Sequence, residues 1–345
     1  KVPTTWNNSY YTIKKVQYTY KGNSNYNAKT INTNLYIQQN NNTFDLRKYH
    51  LVTDVRDQGA SGSCWAFGTY GALESNILKS LNKTIDLSEN NIKNIISKNS
   101  YDGINREPNT GRSALSSISY LISWLGPIKE NRDPYDEYSI FSPTLVPDLH
   151  IQNVIFVPDR KNCTDNNLIK EMILKYGAVE TVIYAQFDGD NWYCNNPSLG
   201  TTHSVAIIGW DDNYSKNNFE YNGTRPEGNG AFIIKNSWGK NFDKKGYVYI
   251  SYYDKTLAGI NIQNNRNNYV FVLNDTVNYS NIYQNTKLSG DAIDLNYSST
   301  VWVKNNYESL NNESIKAVGT FFLNPSNCTI YIYKNNKLQY IQNNT

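Results

Sequence analysis

Charge is scarce in this chain of 345 residues: only 18% of its residues are charged, and the net charge is +3. A balance so thin offers no basic footprint, so nucleic acid is not expected as a partner. No run of about eighteen apolar residues occurs, which excludes a helical membrane span from the expectations. No signal peptide is legible, and the chain begins inside polar sequence, as a processed or trimmed protein would. Histidines number three and cysteines four. None stands at the paired spacing of metal ligands, so neither a metal nor another cofactor is expected. What is abundant is Asn, Lys and Tyr, a composition that an AT-rich genome explains. The length suits two or three domains.

Against that background, one cysteine stands out. Gln58-Gly59-Ala60-Ser61-Gly62-Ser63-Cys64-Trp65-Ala66-Phe67 places Cys64 behind a Gly/Ser turn, where a helical pattern begins. Leu73, Ile77 and Leu81 recur at helical spacing, among the helix formers Ala72, Glu74 and Leu78. A thiol in the first turn of a helix lies at the positive end of the macrodipole. A lowered thiol pKa and a nucleophilic thiolate are expected there.

A thiolate nucleophile works beside an imidazole that holds the ion pair and protonates the leaving group. His50 and His150 lie in polar, loop-like sequence and read as surface residues. His203 opens Thr201-Thr202-His203-Ser204-Val205-Ala206-Ile207-Ile208-Gly209-Trp210, a β-branched apolar run expected to be a buried strand. A second such run, Ala231-Phe232-Ile233-Ile234-Lys235, delivers Asn236 and Trp238. An amide oxygen accepts from one imidazole N–H and fixes the tautomer, as a carboxylate does in the serine triad. Trp238 is suited to cover that bond. Gln58 offers a side-chain N–H to an oxyanion beside the backbone N–H of Cys64.

These blocks resemble the papain-like cysteine peptidases, the C1 family, for which a downstream His and Asn are the recorded partners of the cysteine. The resemblance implies that Cys64 is the nucleophile, His203 the base, Asn236 the orienting amide and Gln58 the oxyanion donor. It extends over residues 44 to about 256. Phe44-Asp45-Leu46-Arg47 is similar to the mature start. Asp86-Leu87-Ser88-Glu89-Asn90-Asn91 is similar to the second helix, with Ser88 as N-cap. Ser113 to Leu125, stopped by Gly126-Pro127, is a third helix, Asn166 to Tyr176 a fourth, and Gly246-Tyr247-Val248-Tyr249-Ile250 a late strand. Polar residues from Asp211 to Asn229 read as an inserted loop.

The departures are as specific as the matches. Ser61 replaces the structural cysteine of papain, so that bridge is missing. The glycine pair that lines the family's cleft corresponds here to Gly111-Arg112, and a cation there would change the subsite. By resemblance Ser204 and Thr181 line the pocket for the second residue before the scissile bond, with Thr202 and Trp238 also at the substrate. With Cys64 reserved for chemistry, Cys163 and Cys194 are a tentative disulfide and Cys328 the odd thiol; the pairing is open.

The resemblance implies an α+β fold: a papain-like two-lobe catalytic domain, one lobe helical and one a β-barrel, with an N-terminal extension and a C-terminal β-sandwich. Residues 1-43 read as a Tyr/Asn-rich extension or propeptide remnant, with short strands around Tyr18, Tyr20 and Leu35-Tyr36-Ile37. Residues 44-257 form the peptidase domain. Residues 258-345, with β-rich runs at Tyr269-Val270-Phe271-Val272, Ser299 to Val303, Ile315 to Leu323 and Thr329 to Tyr333, resemble an incomplete lectin-like domain. The blocks Gly209 to Ser215 and Ile250 to Leu257 resemble cell-surface papain-like proteases of anaerobic prokaryotes. An extracellular or cell-surface protein follows, with about a dozen Asn-x-Ser/Thr sequons, Asn41, Asn82, Asn222, Asn274 and Asn296 among them. The expected activity is a cysteine endopeptidase acting on protein or on cell-wall peptide bonds. The alternative is an adhesin whose β domain, through Trp302 and its tyrosines, binds cell-wall glycan while the peptidase serves only maturation or is inert.

Overall fold

The computed structural model describes residues 42–259 apart from 102, 112, 113, 152, 188 and 243, then 268–273, 279–284, 288, 302–319 and 327–344, with two short strands at Tyr11–Thr12 and Tyr18–Lys21. The main body of the chain is built around helix α1 (Cys64–Leu81). Trp65, Tyr70, Leu73 and Ile77 are each at most 1% exposed, and the helix is buried along nearly all its sides. Such a helix belongs at the centre of a domain, not on its surface. It ends at Asn82, whose left-handed backbone (φ 50°) sends its N–H to Leu78 O.

Two shorter helices pack beside it. α2 (Glu89–Ile95) begins where expected, with Ser88 Oγ accepting from Asn91 N at 2.9 Å. α3 (Leu115–Ile122) is shorter than the expected Ser113 to Leu125 run. Trp124 takes a left-handed backbone at φ 56°, which a continuing helix cannot contain. α4 (Asn167–Tyr176) closes at Gly177, φ 106°.

On the other side of α1 lies a sheet of eight strands: β1 (Thr43–Asp45), β2 (Asn153–Phe156), β3 (Val179–Ile183), β4 (Asn191–Trp192), β5 (His203–Asp211), β6 (Ala231–Lys235), β7 (Tyr247–Ser251) and β8 (Tyr269–Val272). The order is β2-β8-β3-β5-β6-β7-β4, with β1 added on β5. All pairs are antiparallel except β4 with β7. The apolar runs around His203 and before Asn236 become neighbouring strands, β5 and β6, as their unbroken hydrophobicity implies. α1 lies close on β5: a Cβ at Gly68 would collide with Ser204 Oγ and stand 3.1 Å from Val205 N, so only glycine allows this approach.

β8 corrects the expected domain boundary. Tyr269, Val270 and Phe271 are at most 1% exposed and belong to the same core as α1 and the sheet. β8 pairs with β2 from Phe156 to Asn153 and meets β3 at Glu180. Its Tyr/Val/Phe run satisfies any sheet, and only pairing with distant strands assigns it to this one. The boundary set at 43/44 falls inside β1. Further along, Cys328–Lys334 and Lys337–Asn344 form a hairpin. Trp302 lies half-buried against Tyr331, ring centroids 5.3 Å apart. Residues 313–319 carry no strand. In the extension, Tyr18–Lys21 pairs with Asn281–Gln284 and Tyr11–Thr12 with Val303–Lys304, so these two strands join the C-terminal part. Leu35-Tyr36-Ile37 lies outside the described residues.

Candidate active site

Three pieces of chain distant in sequence meet at the N-terminus of α1. The turn before it is stapled to the loop leaving β6: Gln58 N donates to Ser237 O at 2.8 Å, Ser237 Oγ to Gln58 Oε1 at 2.7 Å, and Asp57 bridges Trp238. Gln58 Nε2 donates to Ser61 O at 2.9 Å. Tyr135, on the loop after α3, reaches under this turn. Its hydroxyl donates to Gln58 O at 2.8 Å and lies 2.9 Å from Ser63 Oγ. Ser63 is the N-cap residue but makes no side-chain cap bond. The backbone N–H of Cys64, the first residue of α1, therefore has no capping side chain to serve.

His203 begins β5 and is 5% exposed. Its Nε2 lies 2.7 Å from Asn236 Oδ1, which also accepts from Ser237 N at 2.8 Å. The imidazole stacks on Trp238 (centroids 4.8 Å), and Trp238 in turn stacks on the exposed Phe187 (5.1 Å). The indole covers the His203–Asn236 bond as its sequence position suggested. The residue after His203 completes the link, for the backbone N–H of Ser204 approaches the Cys64 sulfur.

The electrostatics differ from the expectation. Burial raises the pKa of the Cys64 thiol, against the favourable N–H groups of Ser204 and Trp65. Burial also lowers His203 to about 4, with the Asn236 bond opposing. A helix terminus favours a thiolate by a few tenths to about one kcal/mol when exposed, and desolvation by the sheet outweighs it. Burial thus favours the uncharged form of each of the two groups.

Several substrate-lining expectations are corrected. Thr181 is fully buried, and its hydroxyl donates to Asn268 Oδ1 at 2.7 Å. Ser204 is 4% exposed, and its hydroxyl donates inward to Glu180 Oε1 at 2.8 Å. Ser204 lies under α1, against Gly68, and Thr181 is turned to Asn268 just before β8. Thr202 is exposed, with Oγ1 accepting from Ala185 N at 3.1 Å. Gly111 is exposed, in a loop joined to the turn by the Gly62 N to Asn109 O bond (2.9 Å). Arg112 lies outside the described residues. Cys163 and Cys194 are free thiols. Each has its own partner: Lys255 Nζ stands 3.6 Å from Cys163 Sγ, and Cys194 Sγ donates to Asn196 O at 3.5 Å. His50 is exposed as expected, but His150 is half-buried and stacked on Trp124 at 4.1 Å. Among the described residues, no cluster of three potential metal ligands occurs, and no helix is long and apolar enough to cross a membrane. Sequence reasoning missed Tyr135, Phe187 and Glu180, which carry no local motif.

The family model of papain family cysteine proteases matches residues 40–267. A cathepsin L-like peptidase of Aedes aegypti is 28% identical over 218 residues, 60% of this chain and 57% of that one. Cathepsin K of Gallus gallus is 28% identical over 228 residues, 63% and 60% of the two chains. The chain thus covers less than two thirds of the length of these curated relatives. Among solved structures, the cysteine protease and lectin-like domains of Cwp84, a surface layer associated protein of Clostridium difficile, superpose with a TM-score of 0.58 at 30% identity, over 67% of this chain and 51% of that one. Bromelain from Ananas comosus shares the fold alone, at 20% identity, with a TM-score of 0.52 over 68% of this chain and 99% of that one. By the family match over residues 40–267, this chain belongs to the papain family of cysteine proteases, which are hydrolases.

Proposed function

We propose that Cys64, His203, Asn236 and Gln58 carry out cysteine endopeptidase chemistry at the cell surface, on protein or on cell-wall peptide bonds. The observation that carries this reading is the 2.7 Å His203–Asn236 bond set beside a thiol that receives the N–H of the next residue, Ser204. The proton passes from Cys64 Sγ to His203, and the sulfur attacks the scissile carbonyl carbon. The carbonyl π-electrons move to oxygen. The Cys64 N–H, unclaimed by any cap, and the second N–H of the Gln58 side-chain amide donate to that oxyanion. Collapse breaks the C–N bond as the imidazolium gives its proton to the leaving amine. Water, deprotonated by His203, then releases the acyl group from sulfur. Asn236 keeps the ring in the tautomer with Nε2–H, leaving Nδ1 for the proton transfers.

The surface location and the substrate class rest on likeness to Cwp84, described as surface layer associated. Digestion of a peptide library and of purified wall material, with mass spectrometry of the products, tests them. Cleaved surface proteins favour the first substrate, and released wall cross-links the second. Hydrolysis of neither, with Cys64 intact, removes the peptidase reading. Residues 1–43 enter the proposal as an extension whose removal accompanies maturation. A chain beginning at Thr43 that is no faster than the full chain leaves it a brace for the C-terminal part.

A further inference from the structure

Behind the nucleophile lies a carboxyl group that the proposed chemistry does not use. Glu180, on β3, is fully buried. Ser204 joins it to the site by two different groups. The Ser204 hydroxyl donates to Glu180 Oε1 at 2.8 Å, while the Ser204 backbone N–H faces the Cys64 sulfur. Glu180 Oε2 and the hydroxyl of Tyr269, its register neighbour on β8, are buried and make no hydrogen bond of ordinary length, though Tyr269 and Thr69 lie near enough to act on the carboxyl. A fully buried carboxyl with no cation among its neighbours is costly as an anion and tolerable as an acid. The groups that act on it are Tyr269 from β8, Thr69 from α1 and Ser204 from β5, all uncharged at neutral pH. α1 also brings Cys64, on whose thiol the carboxyl acts electrostatically, while α4 brings it no charge.

We propose that Glu180 is a positioning residue of the peptidase site: as a neutral acid it holds Ser204 so that its N–H meets the Cys64 sulfur, and as an anion it opposes the thiolate. The proposal rests on the assignment of Cys64 as nucleophile. Burial pushes the Glu180 pKa up to about 8, so the acid is the resting form at neutral pH. Above that value the buried negative charge raises the free energy of a second negative charge on sulfur. Activity then falls on the alkaline side for a reason separate from loss of the proton shared by Cys64 and His203.

Glu180→Gln keeps the shape and the acceptor for Ser204 but cannot ionise. The primary readout uses no substrate: the rate of iodoacetamide alkylation at the Cys64 peptide, followed by mass spectrometry across pH. Near pH 9, Cys64 of Glu180→Gln should react about tenfold faster than wild type, the equivalent of one pKa unit. With a peptide substrate, the alkaline limb of kcat/KM should move to higher pH while the acidic limb stays. Ser204→Ala supplies a second variant, since it removes the hydroxyl that favours the carboxylate but keeps the N–H. Its alkaline limb should also move up. The thermal midpoint of Glu180→Gln relative to wild type should rise with pH. Glu180 is raised in the folded state, so its stabilising share is complete below the usual Glu range and is lost as pH climbs through about 8. An alkylation profile superimposable on wild type in both variants overturns the proposal. A shifted alkylation profile upholds it even where no peptide is cleaved, and that combination counts against the peptidase reading alone.

Discussion

Replacing Asn236 by Ala removes the acceptor of His203 Nε2 from a site where the imidazole is only 5% exposed. The orphaned N–H costs about 1–3 kcal/mol. If that loss falls on the transition state, kcat/KM drops about five- to 150-fold. It does not abolish activity, because the thiol and the ring remain. Asn236→Asp sharpens the test. Asn236 Nδ2 is buried and makes no hydrogen bond, so Asp forfeits no donor. Its charge favours the imidazolium, and His203 should titrate well above its present value of about 4. The acidic limb of kcat/KM should follow it upward. The assay is steady-state hydrolysis of one fluorogenic peptide by wild type, both Asn236 variants and Cys64→Ala, from pH 3 to 10. Equal loss in Asn236→Ala and Cys64→Ala, or an acidic limb unmoved in Asn236→Asp, would refute the division of roles.

Cys64→Ala should fold as wild type does and lose all peptide hydrolysis, and an epoxide inhibitor of papain-like enzymes should mark Cys64; label on Cys328 alone would overturn the assignment. The pH profile should be a bell: one proton is shared by Cys64 and His203, a second enters near pH 4, and loss of the shared one ends activity on the alkaline side, both limbs being macroscopic properties of the pair. His203 and His150 are both lowered to about 4, so the unfolded chain binds more protons than the folded one between pH 6.5 and 4. Each imidazole therefore withdraws stability as pH drops through that window, so the midpoint of His150→Phe relative to wild type should rise over it, and a difference constant with pH would contradict the buried neutral imidazole. A chain ending at residue 257 loses the buried Tyr269, Val270 and Phe271 of β8. At about 1.5–3 kcal/mol for each side chain, the loss approaches the whole stability of a domain. That chain should be insoluble or unfolded by circular dichroism, whereas one ending after residue 273 should fold; two equally stable products would return β8 to a separate domain.

Local sequence determined the elements that hold the site. The turn ahead of Cys64, the 3.6-residue pattern of α1, the Ser88 cap, the stop at Gly177 and the apolar runs of β5 and β6 depend on interactions within a few residues, and all stand as their sequences imply. The candidate residues Cys64, His203, Asn236 and Gln58 were legible for the same reason, since each is fixed to the start or end of such an element. Tertiary structure alone decided the direction in which the thiol pKa moves, because burial against strands more than a hundred residues away outweighs the local pull of the helix. It alone assigned β8 to the catalytic sheet, since its Tyr/Val/Phe pattern suits any buried edge. It turned Thr181 and Ser204 inward, as strand register sets which side of a sheet a residue occupies and sequence does not state the partner. It brought Tyr135 beneath Gln58 and Glu180 behind Cys64, contacts between residues with no shared motif and no periodicity, made only when separate segments exclude water from the same space.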